Sequence, residues 1–364
     1  MNIKSNLIFP TLQILYKPLS GLNNFFGQNK NILYVAEPGW SLRHDAESIK
    51  SALDVSLRRR FKIFRYPLSI QSDLYHFASN FQWVKWQKSL PKNKTYICNY
   101  YHGKKTDSKE MSDFVEQFLE TTSKLSKIVV SNSIVKKRLI NEYKIEKNKI
   151  CHIPLGVNNE VFKPRSQKII NQAKIQLSIP KKQLVIGSFQ KDGEGKKNGY
   201  EPKFIKGPDI LINVLKILSK NFSITVLLSA PARGYVIKEL ESHGIKYIYS
   251  YLNNPDDLYN LYNAIDLYLI TSREEGGPKG LIEALSSGKK VVTTPVGMST
   301  DLKALKIKNL LVSETFNPEE LAALCSKQFE QKNYESLSLD SHYKIKNYCA
   351  WPKVAFDHFK KLYI

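Results

Sequence analysis

Short apolar runs alternate with amphipathic helical patterns along most of this chain, and that alternation narrows the choice of fold more than any other feature. NILYVAEPG (31–39) reads as a strand running into a turn, and SIKSALDVSLRRRFKIFRY (48–66) as a helix followed by a strand. KTYICNYYHG (94–103), KIVVSNS (127–133) and KICHIPLGV (149–157) are further strand-and-loop units. A second series runs through QLVIGSFQ (183–190), PDILINVLKILSK (208–220), FSITVLLSA (222–230), KYIYSYL (246–252), DLYNLYNAIDLYLITS (257–272) and KVVTTPVG (290–297). Strands of about four to eight residues alternating with longer helices predict parallel sheets with helices on both faces. The polar, proline-punctuated stretch 158–182 divides the two series and reads as an interdomain link. We therefore expect an α/β chain of two doubly wound domains, 1–165 and 166–346. The end, NYCAWPKVAFDHFKKLYI (347–364), carries Val354, Phe356, Phe359 and Leu362 at a helical spacing suited to docking on a surface.

Charge widens the field of partners. The 364 residues hold 55 Lys+Arg against 33 Asp+Glu, a net charge of +22, which suits nucleic acid, an anionic membrane surface or a phosphorylated substrate. No zinc-finger spacing or aromatic RNA-binding motif accompanies the charge, which argues against specific nucleic-acid binding. Cys98, Cys151, Cys325 and Cys349 form no Cys-x-x-Cys pair, so thiols in a reducing compartment are expected and zinc is not. Pro10 and Pro18 interrupt the apolar start, and no run reaches the ~18 residues of a membrane span. The expectation is a cytoplasmic protein, with SLRRRFKIFR (56–65) a patch for peripheral attachment to the inner face of the cell membrane.

The chemistry concentrates in SREEGGPKGLIEALSSGKKVVTTPVG (272–297). A strand ends there in a glycine-rich loop, Pro278 suits a first helical turn, and Gly288 suits the left-handed residue that ends a helix. Leu281, Ile282 and Leu285 point to a core, while Glu283 shares its face with Lys279, Gly280, Ser286 and Ser287. The helix start offers unpaired N–H groups to an anion. Carboxylates accept hydrogen bonds from paired hydroxyls. Phosphates at the helix start and diols at the glutamates together describe a nucleotide sugar.

Glu275 and Glu283, eight residues apart, and the surrounding 258–297 resemble the Glu-x7-Glu signature of family-4 retaining glycosyltransferases. ICHIPLGVNNEVFKP (150–164), IGSFQKDG (186–193) and KFIKGPDILINVLKIL (203–218) extend the similarity, which covers the chain from about residue 31 onward. The resemblance implies a GT-B fold, in which two Rossmann-like domains face a cleft and the last helix packs back on the first. It implies that Glu275 holds donor-sugar hydroxyls and Glu283 the ribose diol. Gly276, Gly277, Lys279 and Gly280 would lie along the sugar and diphosphate. Lys191, or its neighbour Gln190, and Lys206 would meet the diphosphate, Arg233 the base or phosphates, and His102 the donor sugar. Gly39, in EPGW after the first strand, would let the backbone approach the diphosphate. Lys196, Lys197 and Lys203, in the long loop between Lys191 and Lys206, read as solvated; Arg43 and His44 are acceptor-side candidates, and His152 is read as core.

The activity so implied is glycosyl transfer from a nucleoside-diphosphate sugar to a hydroxyl of a saccharide or lipid-linked acceptor, with retained configuration. The lysines would stabilise the departing diphosphate, whose oxygen takes the acceptor proton; neither metal nor cofactor is implied. Surface polysaccharide or lipopolysaccharide synthesis would suit the charge. The rivals are a GT-B epimerase or phosphorylase, a glycosidase using Glu275 and Glu283, and a nucleic-acid-binding protein. A glycosidase needs two carboxylates facing across the scissile bond, and the sequence supplies no opposed wall.

Overall fold

A computed structural model describes residues 30–363 except 54, 196–197, 253–256 and 332–333. Among these residues two parallel sheets of six strands form the framework. The first contains β1 (Ile32–Val35), β2 (Phe61–Phe64), β3 (Leu74–Phe77), β4 (Thr95–Asn99), β5 (Lys127–Val130) and β6 (Ile150–His152), in the order β2-β1-β3-β4-β5-β6. The second contains β7 (Leu184–Ser188), β8 (Ile224–Leu228), β9 (Tyr247–Tyr249), β10 (Leu267–Ile270), β11 (Lys290–Thr293) and β12 (Leu310–Val312), in the order β12-β11-β10-β7-β8-β9. Helices cover both faces of each sheet, so β1, β3, β8 and β10 are buried at every position; this is why β1, β8 and β10 read as largely apolar runs rather than alternating ones. The architecture is the two-domain Rossmann-like GT-B arrangement expected from the sequence.

The strand order turns at β1/β3 in the first sheet and at β7/β10 in the second. Loops leaving the carboxyl ends of such neighbouring strands diverge and open a crevice, the usual place for a ligand in a doubly wound sheet. Residues 36–40 and 78–82 therefore rim the first crevice, and 189–192 and 271–277 the second.

Three elements differ from the expectation. The supposed link contains the helix Gln167–Gln176, which packs on Leu258–Ala264 of the second domain; Ile170 and Ala173, on one face, are its buried residues. β3 and β12 were not expected at all.

The carboxyl end crosses as anticipated. Helix Tyr334–Cys349 packs on Lys279–Ser286, and helix Trp351–His358 packs on Ser41–Ser51 of the first domain. At the crossing Val157 N–H donates to Cys349 O at 3.0 Å and Trp351 N–H to Val157 O at 3.3 Å. Gly156 lies under the Trp351 indole, where an added Cβ would stand 2.2 Å from the ring. Tyr363 ends the segment beside His76 of β3, with 2.5 Å between its hydroxyl and Nδ1; the other ring nitrogen meets Asn99 Oδ1 at 2.6 Å. Burial holds the His76 pKa down at about 3, so the ring stays neutral and the network intact near neutral pH.

Candidate active site

The loop after β10 begins Thr271-Ser272-Arg273-Glu274-Glu275, and its two adjacent glutamates go to different partners. Glu275 Oε1 accepts from Lys206 Nζ at 2.7 Å and from Ser272 Oγ, 2.8 Å away. Glu274 turns to the first domain, accepting from Arg138 NH1 at 2.8 Å and from Gly103 N–H at 3.4 Å. Lys206 is positioned by its own loop. It ends a short helical turn, Phe204–Lys206, just before Gly207 and the helix Pro208–Ser219. Gly207 has φ +62°, and a Cβ there would meet Thr271 O at 1.9 Å; only glycine lets these two loops touch. Gln190, two residues past β7, completes the cluster: its Nε2 donates to Lys206 O at 2.8 Å, and its Oε1 lies 3.1 Å from Ser272 Oγ. Lys206, Glu275, Ser272 and Gln190 thus converge on the β7/β10 crevice.

Glu283 lies one helix further on, half-buried, with Tyr262 OH donating to Oε2 at 2.9 Å. Tyr262 is fully buried among Phe162, Phe189 and Tyr268. Burial, then Tyr268 and Glu283, raises its pKa well above the ordinary phenol value, so it keeps the proton it donates. The helix Lys279–Ser286 starts one residue later than expected, with Pro278 as its cap. It ends as expected at Gly288, φ +74°, where Gly288 N–H bonds to Leu285 O and Lys289 N–H to Ala284 O.

His102 faces this cluster from the first domain. Its ring is reachable from solvent yet set among protein atoms. Burial first, then Lys206, lowers its pKa, with Glu274 and Glu275 opposing. A neutral imidazole can donate to, and accept from, a sugar hydroxyl. The Phe81 ring lies 5.6 Å from it, centre to centre.

Other expected residues stand elsewhere. Lys191 bonds the Gly195 carbonyl within its own exposed loop and does not join Lys206; Gln190 stands in the cluster. Arg233 is buried beneath that loop, bonded to Gln190 O and Ser188 Oγ and ion-paired with Asp192 at 3.3 Å. Burial raises the Asp192 pKa to about 6 despite the guanidinium. Lys279 turns away from the cluster to the buried Asp45, a pair across the two domains, with its ammonium 5.7 Å from the centre of the Trp351 ring. Gly276 packs on Tyr101, and its carbonyl accepts from Ser131 and Asn132. Gly277 meets Leu155 and Met298, and Gly280 the Tyr268 hydroxyl. These glycines serve close packing around the crevice. Gly39 differs: φ is +75° and nothing lies within 4 Å of an added Cβ, so its backbone is open to a ligand. Arg43 pairs with Glu47 on the surface, and His44 is exposed. His152, expected in the core, is half-buried at the domain seam, 3.9 Å from Asp301. Lys203 is half-buried; Lys196 and Lys197 lie outside the described residues. Among the described residues no group of three or more His, Cys, Asp or Glu could hold a metal, and no helix is long and apolar enough to cross a membrane.

Gln190 was named beforehand as the alternative to Lys191, whereas sequence could have offered Ser272 only as a polar residue at a strand end; Arg138, Asp45 and Tyr262 gave no local signal. Arg138 and Glu274 are separated by 136 positions, and Asp45 and Lys279 by 234.

Comparisons with known proteins bear on the family pattern and the fold. Residues 201–340, which include Lys206, Glu275 and Glu283, match the family model "Glycosyl transferases group 1". No match to a curated protein was found. Among solved structures, HepE of Anabaena, crystallised with UDP and glucose, superposes with TM-score 0.71 at 15% identity, covering 92% of this chain and 99% of that one. A glycosyltransferase of Rickettsia africae gives TM-score 0.66 at 17% identity, covering 92% and 98%. WaaG, a glycosyltransferase of lipopolysaccharide biosynthesis, gives 0.64 at 14%, covering 89% and 98%. The chain thus shares the GT-B fold of these glycosyltransferases, and its segment 201–340 carries the group 1 glycosyl transferase pattern.

Proposed function

We propose that the protein transfers a glycosyl group from a nucleoside-diphosphate sugar to a hydroxyl, retaining the anomeric configuration. The observation that carries the proposal is the convergence of Lys206, Glu275, Ser272 and Gln190 on the β7/β10 crevice, with Glu283 one helix away. An ammonium at the crevice suits a diphosphate, and carboxylates on either side suit the hydroxyls of sugar and ribose. HepE, whose crystals hold UDP-glucose in one case, shows that this fold accommodates such a donor.

In this reading the bond between the anomeric carbon and the diphosphate oxygen breaks, and its electron pair leaves with the diphosphate. Lys206 compensates the charge that develops there, as a preorganised electrostatic group. The acceptor oxygen bonds to the anomeric carbon on the same face, and its proton passes to the departing diphosphate oxygen. Glu275 holds Lys206 in place and meets sugar hydroxyls; neutral His102 contacts the sugar from the opposite domain. No protein base is required. The residues make no demand for a metal, because Lys206 supplies the positive charge.

A thermal-shift screen with UDP, GDP and ADP and their sugars tests the donor site. One nucleotide should stabilise the protein by about 2.7 kcal/mol at 100 times its dissociation constant. Glu283→Ala should weaken that affinity roughly tenfold to a hundredfold, as loss of a hydrogen bond to a charged group does. If no nucleotide shifts the melting curve, the proposal fails.

The same reading places the acceptor on a membrane-bound saccharide or lipid, in surface polysaccharide or lipopolysaccharide synthesis. It is supported by exposed Val55, Phe64, Tyr66 and Leu68 beside exposed Arg58, Arg59, Lys62 and Arg65 at the β2 edge of the first sheet. Apolar and cationic groups together suit an anionic bilayer surface. Cosedimentation should occur with anionic vesicles and fall with salt; equal failure with neutral and anionic vesicles would remove this attachment.

A further inference from the structure

We infer that the cavity at the amino ends of β7, β10 and β11 binds a small phosphate dianion, either inorganic phosphate or a phosphomonoester, through Lys174, Lys289 and Lys290. It lies at the end of the second sheet opposite Gln190, Ser272 and Glu275, and none of its residues enters the glycosyl-transfer reading. Its volume is about 260 Å³, and its walls include Gln167 and Lys174 of the helix Gln167–Gln176, Asp266 just before β10, Lys289 and Lys290 at the start of β11, and Phe329. Pockets for drug-sized ligands usually measure about 300–1,000 Å³. This one suits something smaller.

The balance of charge in the wall is the decisive observation. Three lysines line the cavity, and Asp266 is the one carboxylate among the lining residues. Asp266 is already committed: its Oδ1 and Oδ2 lie 2.7 and 2.8 Å from Lys174 Nζ, and Oδ2 also accepts from Val185 N–H at 2.8 Å. Lys289 is 3% exposed. Burial holds its pKa down at about 8, with Asp266 opposing and Lys174 adding to the shift. Burial lowers the Lys290 pKa as well, again against Asp266. Both ammonium groups have thus lost more hydration than their surroundings return, although buried charge is normally compensated. A bound anion supplies what the wall lacks.

Helix capping explains part of this arrangement but not all of it. In a doubly wound sheet the helices run back against the strands, so their carboxyl ends gather where the strands begin. Lys289 Nζ donates to Asn263 O at 3.2 Å near the end of the helix Leu258–Ala264. Lys290 Nζ donates to Gln328 O and, at 3.0 Å, to Gln331 O, at the end of the helix Pro318–Glu330. A helix end carries only about half a negative charge. It fixes where an ammonium sits without neutralising it, and Lys174 meets no such end in its pair with Asp266. Three cations against one carboxylate suit a doubly charged ligand better than a singly charged one. Phosphate oxygens accept charge-assisted bonds from ammonium groups, each of which carries three donors.

The test is a phosphorus NMR titration of the full-length protein, in phosphate-free buffer at fixed ionic strength, with inorganic phosphate and glycerol 3-phosphate as probes. At least one should bind saturably. Binding of inorganic phosphate alone marks the free ion as the ligand, and binding of glycerol 3-phosphate marks a site open to phosphomonoesters. Lys174→Gln and Lys290→Gln should each weaken binding about tenfold. Asp266→Asn, which removes the opposing charge, should strengthen it about fivefold. Lys206→Ala, in the donor crevice, should bind the probe as wild type does. If a lysine variant does not fold, Asp266→Asn decides by the opposite sign, and unchanged or weaker binding there overturns the assignment. So does failure of both probes to bind, or wild-type binding in both lysine variants. Loss of binding in Lys206→Ala alone would put the phosphate in the donor crevice and overturn it too. Failure of the donor reading would appear separately, as absence of any nucleotide shift.

Discussion

Lys206→Ala is expected to lower kcat/KM by about 100- to 1,000-fold, the loss of ~3–4 kcal/mol typical of removing one preorganised donor from a developing anion. Lys206 owes its position to a two-sided clamp. Glu275 holds its ammonium at 2.7 Å and Gln190 holds its carbonyl at 2.8 Å. Behind it, Gly207 brings the backbone against Thr271. The charge is therefore in place before the diphosphate begins to leave, and it interacts more strongly with the departing group than with the bound donor. The deficit should fall mainly on kcat. Folding should be little changed, because the Lys206 side chain is 27% exposed and its pair with Glu275 is partly solvated. Lys206→Arg should recover part of the rate: the charge is kept, but a planar fork replaces a point donor. Steady-state kinetics with the nucleotide sugar chosen by thermal shift would check this, and a wild-type rate in Lys206→Ala would remove Lys206 from the chemistry.

Arg138→Ala is expected to cost about 3–5 kcal/mol of stability, the usual penalty for leaving one member of a buried ion pair alone. Arg138 and Glu274 are each only 10% exposed and join the two domains at 2.8 Å. Truncation strands the Glu274 carboxylate at the seam, with only the long bond from Gly103 remaining. The urea midpoint should fall. The double variant Arg138→Met/Glu274→Leu should recover much of the loss, because no unpaired charge is then buried. Since Ser131 and Asn132 grip Gly276 and Asp301 accepts from Ser133 N–H at 2.9 Å along the same seam, amide exchange should rise there first. Full stability in Arg138→Ala would show that the pair does not hold the domains together.

Much of this site could be read locally. β10, its glycine loop, the helix of Glu283 and the cap at Gly288 lie within one window, where periodicity and left-handed glycine carry the signal. The docking face of the last helix was likewise written in the spacing of Val354, Phe359 and Leu362, all buried; that it crosses to the first domain was implied by the resemblance alone. β3 was not legible: Leu74–Phe77 is four residues long and includes a histidine, whose ring is satisfied by Tyr363, 287 positions away. β12 is three residues at a sheet edge, too short to show a period. Arg233 shows the same limit. Its place after β8 was foreseeable, but its burial depends on Asp192 and Gln190 in a loop some 40 residues earlier. Glu274 and Glu275 are chemically identical neighbours, and only long-range packing sends one to the seam and the other to Lys206.

A crystal structure with the stabilising nucleotide sugar tests the central claim most directly. The account predicts diphosphate oxygens within hydrogen-bond distance of Lys206 Nζ, sugar hydroxyls at Glu275 and ribose hydroxyls at Glu283, with the anomeric carbon turned toward the first domain. A donor bound outside the β7/β10 crevice, or bound there with its diphosphate away from Lys206, would contradict it.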